Sequence, residues 1–419
     1  MVAAGVCFHG AAVAQQSRDR TWCHDSKSTT DQKIAGCTAL IQSGRESRQD
    51  LFKDHWTRGD AYREKGDYDH AIADYTEAIR IDPKNISPLI NRGMAYYAKK
   101  DYDRAIADYD KAMDRCRLDF RCTQYGQEVA YWHRGGAYFA KKDYDRAIAD
   151  YTEAIRLVPK DHFAFRSRGN AYLVKGDYDR AIADYSQVIW LDPNNAAGYV
   201  NRGRAYQAKK NYDHAIADYA DATRLDPNNA AAWASQGDAY YDMGKPEQAL
   251  KSYAEAIKSQ PNSTWPYTDR GELYLDRGDY DLAIADFDNV VKVSPTYAMG
   301  WNDRCRALAL AGRRLEQALS DCNEAIKISP TFVNHMVKSG DVSAIGDRAL
   351  VHFKAGRFDS AIDDFDKALK LTLRSAEVLY GRGLAKQKKG DAAGGAADIA
   401  AAKAIQSDIV DRMATLGVK

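Results

Sequence analysis

The chain has 419 residues, 45% of them hydrophobic and 28% charged, a balance that excludes intrinsic disorder. Its 60 basic and 59 acidic side chains leave a formal net charge of +1, so no long-range field draws it to nucleic acid or to an anionic membrane. Beyond the first residues, no stretch is apolar and long enough to span a bilayer.

The first element in chain order is short and apolar, running from Val2 to Val13. Ala12-Val13-Ala14 fits the small-x-small pattern that precedes signal cleavage, so residues 1–14 are expected to be a secretory signal. The basic n-region is missing and His9 interrupts the apolar run, which points to a mis-assigned or truncated start. The other reading is a disordered Ala-rich tail. Export would place the protein in a periplasm or outside the cell; the cytoplasm is the alternative. Cys7 would leave with the signal, and six cysteines remain: Cys23, Cys37, Cys116, Cys122, Cys305 and Cys322. An even count in an exported chain is consistent with disulfides, although six cysteines allow 15 pairings. Sequence neighbours suggest 23–37, 116–122 and 305–322. Buried free thiols at small-residue positions remain the other reading.

From residue 52 onward one pattern returns. The alanine opening A-I-A-D-Y or its variant falls at 71, 105, 147, 181, 215, 249, 283, 318 and 361, with Gly395 in the tenth copy. Most steps are 34 residues, and the long ones mark insertions near 113–127 and 331–344. Each copy has two halves. The first resembles Asn91-Arg92-Gly93-Met94-Ala95-Tyr96. The second is R-A-I-A-D-Y-x-x-A-I, closed by D-P-x-N. Apolar residues recur at three- and four-residue spacing in both halves, which predicts amphipathic helices. Asp-Pro ends the second one, because proline can neither donate to the helix nor leave its predecessor in helical geometry. Halves this short form a helical hairpin. Gly59, Gly93 and their equivalents let two helix axes approach. Aromatics such as Tyr62 and Tyr75 are expected to fill the space between hairpins, each burial contributing roughly 1.5–3 kcal/mol. A single hairpin cannot bury its own apolar face, so the copies must stack.

With its 34-residue period and G…Y…A…Y…A…P pattern, the chain resembles the tetratricopeptide repeat over about 52–409, in ten copies. The resemblance implies an all-α, right-handed superhelical solenoid of stacked helical hairpins. Residues 15–51 would form an N-terminal cap with a half-repeat, Ile34 to Ile41 resembling a second helix. Copy ten, with Lys386 and Gly395, looks like a degenerate end, covered by a final helix from Ile409 to Leu416 that puts residues 410–419 at the C-terminal cap. In copy eight Cys305 and Cys322 replace the usual glycine and aromatic.

An arginine precedes the glycine position in nine copies, and the aspartate of A-I-A-D occurs in the same nine. Copy six lacks both, carrying Gln236 and Ser252. This shared loss predicts ion pairs within each copy, among them Arg92–Asp108, Arg168–Asp184 and Arg202–Asp218. Their role is expected to be structural, fixing helix register.

The resemblance further implies that first helices line a concave groove, with the residues three before, one after and four after the glycine facing inward. Those positions make Trp56, Tyr97, Trp132, Phe139, Arg166, Asn170, Arg204 and Tyr241 peptide-groove candidates, together with Ile90, Val200, Thr268, Asn302, Arg306 and Phe353. Asn201 joins them through a family device that captures C-terminal carboxylates with two asparagines and three basic residues. Arg166, Asn170 and Asn201 match three of its places, while Ala231 and Ser235 hold the other two.

Among sequence motifs there is no phosphate-binding glycine loop, no H-E-x-x-H, no nucleophile elbow and no zinc-spaced cysteine cluster. The nine histidines are scattered. The expected function is therefore a non-catalytic interaction scaffold for a protein or peptide, with no cofactor and no metal. A self-associating scaffold, and a regulatory subunit or enzyme with an unrecognised site, are the alternatives. The two insertions are the places expected to carry copy-specific contacts.

Overall fold

The computed structural model describes residues 15–118, 123–330, 333–334, 342–371, 375–415 and 418. The expected signal at 1–14, Cys122 and most of the second insertion lie outside them. The chain divides into two compact units, 1–209 and 210–419.

In the first unit the helices are α1 (15–24), α2 (Thr30–Ser43), α3 (Arg48–Glu64), α4 (Tyr68–Ile81), α5 (Ser87–Ala98), α6 (Tyr102–Leu118), α7 (Gln124–Ala140), α8 (Tyr144–Leu157), α9 (His162–Val174), α10 (Tyr178–Leu191) and α11 (Ala196–Ala208). In the second they are α12 (Tyr212–Leu225), α13 (Ala230–Asp242), α14 (Pro246–Ser259), α15 (Trp265–Asp276), α16 (Tyr280–Val293), α17 (Ala298–Ala311), α18 (Leu315–Ile328), α19 (Ala344–Lys354), α20 (Phe358–Leu371), α21 (Ala376–Lys389), α22 (Ala392–Ile405) and α23 (Ile409–Thr415). Within each unit consecutive helices pack as hairpins, and each hairpin packs on the next. The one departure from an all-α fold among the described residues is a two-residue antiparallel pair in the second insertion, Val333–Asn334 with Val342–Ser343.

The turn between hairpin halves explains why K-G-D-Y-D recurs. The second residue after the first helix adopts a left-handed conformation: Gly66 at φ 79°, Gly176 at φ 78° and Gly278 at φ 77°. Lys100 and Lys142 take the same geometry at φ 61° and 63°, where a side chain is disfavoured. The aspartate that follows caps the second helix, as Asp67 and Asp177 do by accepting from the backbone N–H of His70 and Arg180. In D-P-N-N the last asparagine caps the next first helix, Asn195 accepting from Gly198 N–H.

The aromatic of A-D-Y packs inside its own hairpin, not only between hairpins as expected. A Cβ on Gly59 would meet the Tyr75 ring at 2.8 Å, one on Gly93 the Tyr109 ring at 2.6 Å, and one on Gly169 the Tyr185 ring at 2.8 Å. Tyr75, Tyr109 and Tyr185 are fully buried as a result. Copy eight solves the same contact covalently, because Cys305 and Cys322 stand at the glycine and ring positions and are disulfide-bonded. Cys23 and Cys37 are joined as well, tying α1 to α2. Cys116 is disulfide-bonded, and its expected partner Cys122 lies outside the described residues.

The first insertion was expected as a contact loop, and the described part of it is helix instead. It lengthens α6 and α7 to 17 residues each and buries Met113 and Cys116. At the other end Ile409 and Met413 of α23, with Val418, bury against the last hairpin.

Candidate functional site

The arginines and aspartates form a ladder along the hairpins. Eight arginines contact the aspartate of their own copy at 2.6–2.8 Å, from Arg58–Asp74 to Arg382–Asp398. Arg92 and Arg168 each hold both carboxylate oxygens, of Asp108 and Asp184, with Nε and Nη2. The remaining nitrogen, Nη1, reaches back to the preceding copy: Arg92 donates to Thr76, Arg168 to Thr152, Arg202 to Ser186 and Arg304 to Asp288. These four guanidiniums thus join two hairpins, a role that sequence reasoning missed although the residue after A-D-Y carries the signal. Asp218 is buried. In copy six Ser252 Oγ donates to Gln236 Oε1 at 3.0 Å, a neutral pair in the place of the ionic one. Ala220 and Ala254 stand where the neighbouring copies offer Nη1 an acceptor. In these eight copies each arginine charge is answered by the aspartate of its own hairpin, which ties the two helices together.

The first unit contains a cavity of about 450 Å³, and its lining gathers the predicted aromatics Tyr97, Trp132 and Phe139. Its walls come from α3 (Arg63), α5 (Met94, Tyr97) and α7 (Trp132, His133, Gly136, Phe139), with Tyr68, Tyr109 and Tyr151 contributed by second helices. Gly136 leaves the space open, since a Cβ there would meet only the Tyr151 hydroxyl, at 3.9 Å. Trp132 is fixed by donating Nε1–H to Ser167 Oγ of the next copy at 3.1 Å. Burial, reinforced by the Arg63 charge, pushes His133 down to about 4, so its ring is neutral and stacks on Tyr109. At one side Arg63 lies 3.8 Å from Asp60, which accepts from Tyr75 OH and from Asn91 Nδ2. The arrangement is a neutral aromatic pocket with one guanidinium at its edge.

The other groove candidates divide. Arg204 is exposed, and Arg166 lays its guanidinium over the Phe163 ring at 5.2 Å. Asn170 and Asn201 are half-buried, and Asn170 Oδ1 accepts from Tyr185 OH at 2.7 Å, which commits its carbonyl to its own hairpin. In the second unit Ser235 is buried and the Tyr241 hydroxyl donates to Asp276 of the next copy.

Several expected groove residues prove to be interior. Trp56 packs on Phe52, ring centroids 5.8 Å apart, with its Nε1 buried, and it does not line the cavity. Ile90, Val200, Thr268 and Asn302, all three residues before the glycine position, are buried. The reason is that successive first helices touch there, as α17 does on α19, so this position packs helix to helix. Arg306 and Phe353 are buried in the same region. Asn302 Nδ2 donates to Asp347 at 2.8 Å, and Arg306 lies 3.6 Å from Glu377. Asp303 is buried with Oδ2 lacking a hydrogen-bond partner, and burial, Glu272 and Asp347 raise it well above the usual carboxylate range.

Stacked hairpins joined by a repeated ladder, with first helices framing a cavity in the first unit, define a repeat solenoid of the protein-interaction class. Family models agree along the chain: one described as TPR repeat matches residues 59–100, 169–210 and 237–278, and others described as tetratricopeptide repeat match 86–160, 196–229, 268–331 and 347–408. The chain belongs to the tetratricopeptide repeat family. No curated protein matches it. Among solved structures it is similar to MamA (29% identity, 41% of this chain and 96% of that one, TM-score 0.36). It is also similar to YrrB, a TPR protein with an unusual peptide-binding site (23% identity, 46% and 95%, TM-score 0.38). A third is the C-terminal part of a TPR repeat-containing protein from Cytophaga hutchinsonii (18% identity, 59% and 98%, TM-score 0.48). No helix among the described residues is long and apolar enough to cross a membrane.

Proposed function

We propose that the protein is a non-catalytic scaffold that captures a partner protein through an extended segment. A large apolar or aromatic side chain of that segment enters the cavity between Tyr97, Trp132 and Phe139. The observation that carries this reading is the cavity itself: about 450 Å³, walled by aromatics from three successive hairpins and without an ionised group other than Arg63 at its edge. Aromatic walls already held by neighbouring hairpins leave most of the ordering cost to the partner. Arg63 and Asp60 supply polar anchors for the segment's backbone or for a charged neighbour of the anchor residue.

The test is Gly136→Leu, which fills the space from a position where a side chain meets no obstacle. Partners captured by the native protein from the envelope fraction and identified by mass spectrometry should be lost, with a fall in affinity of about tenfold or more. Unchanged capture by a variant with unaltered helical circular dichroism would defeat the proposal.

The site of action we infer is a periplasm or the extracellular space. The pairing of Cys23 with Cys37 and of Cys305 with Cys322 supports it, because disulfides persist in oxidising compartments. Thiol counting on protein isolated without reductant tests this: accessible free thiols at these four positions after unfolding would contradict export.

A further inference from the structure

We propose that the N-terminal cap holds a latent tetrahedral site for a zinc-class divalent cation, made of Cys23, Cys37, His24 and Asp54 and opened when the Cys23–Cys37 disulfide is reduced. Sequence spacing gives no hint of it, because Asp54 comes from a different helix, α3. The structure gathers the groups at the junction of α1, α2 and α3. The ligand atoms of Cys23, His24 and Asp54 all lie within 4.8 Å of one another, and Cys37 sulfur is bonded to that of Cys23. His24 Nε2 is 2.8 Å from Asp54 Oδ1, and Cys23 Sγ is 3.6 Å from the same oxygen. Two sulfurs, one imidazole nitrogen and one carboxylate oxygen are a donor set that suits Zn²⁺.

A second observation points to a missing ligand. Asp54 is completely buried, yet its Oδ2 has no hydrogen-bond partner. A buried carboxylate oxygen left bare is costly, and in a purely structural ion pair a second donor would be expected. Here the carboxylate carrying the bare oxygen lies against Cys23 Sγ, which is inert only while bonded to Cys37. His24 remains partly exposed, its side chain 34% accessible, and gives a metal a route from solvent.

The chemistry balances with a dithiol reductant. The reductant's thiolate attacks the Cys23–Cys37 bond and closes to its own cyclic disulfide. Two electrons and two protons pass to the cysteines. Binding of the cation then releases both thiol protons, and the two thiolates, the neutral His24 ring and the Asp54 carboxylate surround it. Two thiolates and a carboxylate leave one negative charge over a divalent ion. The fields of Arg20 and Glu46, which also act on Asp54, oppose each other around that residue. The cap is thus closed covalently when oxidised and by metal when reduced, which would let it stay folded before and after oxidation.

The experiment uses the full chain, stripped of metal, with and without a dithiol, and adds Zn²⁺ alone. Bound zinc is measured after gel filtration, and Co²⁺ serves as an optical probe for thiolate ligation in a tetrahedral field. The reduced chain should retain stoichiometric zinc that the oxidised chain does not. Cys23→Ala/Cys37→Ala should lose it, which separates this site from the thiols of Cys116, Cys122, Cys305 and Cys322. His24→Ala and Asp54→Asn should each weaken zinc at least tenfold, and both keep the disulfide, so their folding is verified in the oxidised form. Zinc uptake unaffected by His24→Ala and Asp54→Asn, or no uptake by the reduced chain, would overturn the proposal.

Discussion

At the scale of single residues, the glycine in each first helix is set by the ring that lies on it. Gly169 has no room for a methyl group, since an added Cβ would sit 2.8 Å from Tyr185, itself locked in the hairpin. Gly169→Ala should therefore destabilise by about 1–3 kcal/mol, measured by urea unfolding. The turn position makes the opposite case. Lys142 occupies a left-handed conformation that Gly66 and Gly176 fill in other copies. Lys142→Gly relieves that cost, and its gain of about 0.5–1 kcal/mol should appear as a raised unfolding midpoint, because no side-chain contact of Lys142 is needed by the hairpin. Both residue types were visible in the sequence as periodic letters. Only the structure shows that one glycine yields to a ring and the other to a dihedral angle.

At the scale of the element, the hairpin is held by a charge pair whose two halves depend on each other. Arg270 and Asp286 bond through both carboxylate oxygens at 2.7–2.8 Å, and burial raises Asp286 although the guanidinium opposes it. Removing one partner leaves a buried charge unanswered, so Arg270→Gln alone should cost about 3–5 kcal/mol. Arg270→Gln with Asp286→Ser recreates the Gln236–Ser252 pair of copy six and should recover most of that loss. A double-mutant cycle in urea measures both, and additive losses would contradict the pairing. The pairs were readable in the sequence because copy six lost both members at once. The backward reach of Nη1 was not, because which residue faces the guanidinium from the preceding hairpin depends on how hairpins are spaced. The groove positions failed for a related reason. Family phasing placed Asn302, Arg306 and Phe353 on an open wall, but close contact of first helices turns that wall into interior.

For the molecule as a whole, the consequence of that burial is an inverted pH dependence in the second unit. Burial pushes Asp347 up to about 6, against the opposing Arg306 charge and the Asn302 hydrogen bond, and Asp303 rises with it. A carboxyl whose folded value exceeds its unfolded value of about 4 favours folding when protonated. That contribution is fully present below about pH 4 and disappears as pH rises through about 6. The second unit should accordingly unfold at higher urea near pH 5 than near pH 8, and Asp347→Asn should flatten the difference while accepting the same Asn302 bond. Asp74 in the first unit has the reverse sign. Burial raises it, but hydrogen bonds from Arg58 and His55 more than compensate, so its contribution is lost as pH falls below the ordinary carboxylate range.

The sequence by itself determined the repeat, its hairpin, the caps and the pairing within each copy. These depend on residues that are neighbours within one period, and their spacing is written in the chain. The tertiary structure alone decided where stacked copies leave a cavity, which groove positions are swallowed by helix contact, and that Asp54 meets a disulfide-bonded cysteine and a histidine of α1. Those outcomes depend on distances between elements, which small shifts in packing set and no periodicity encodes.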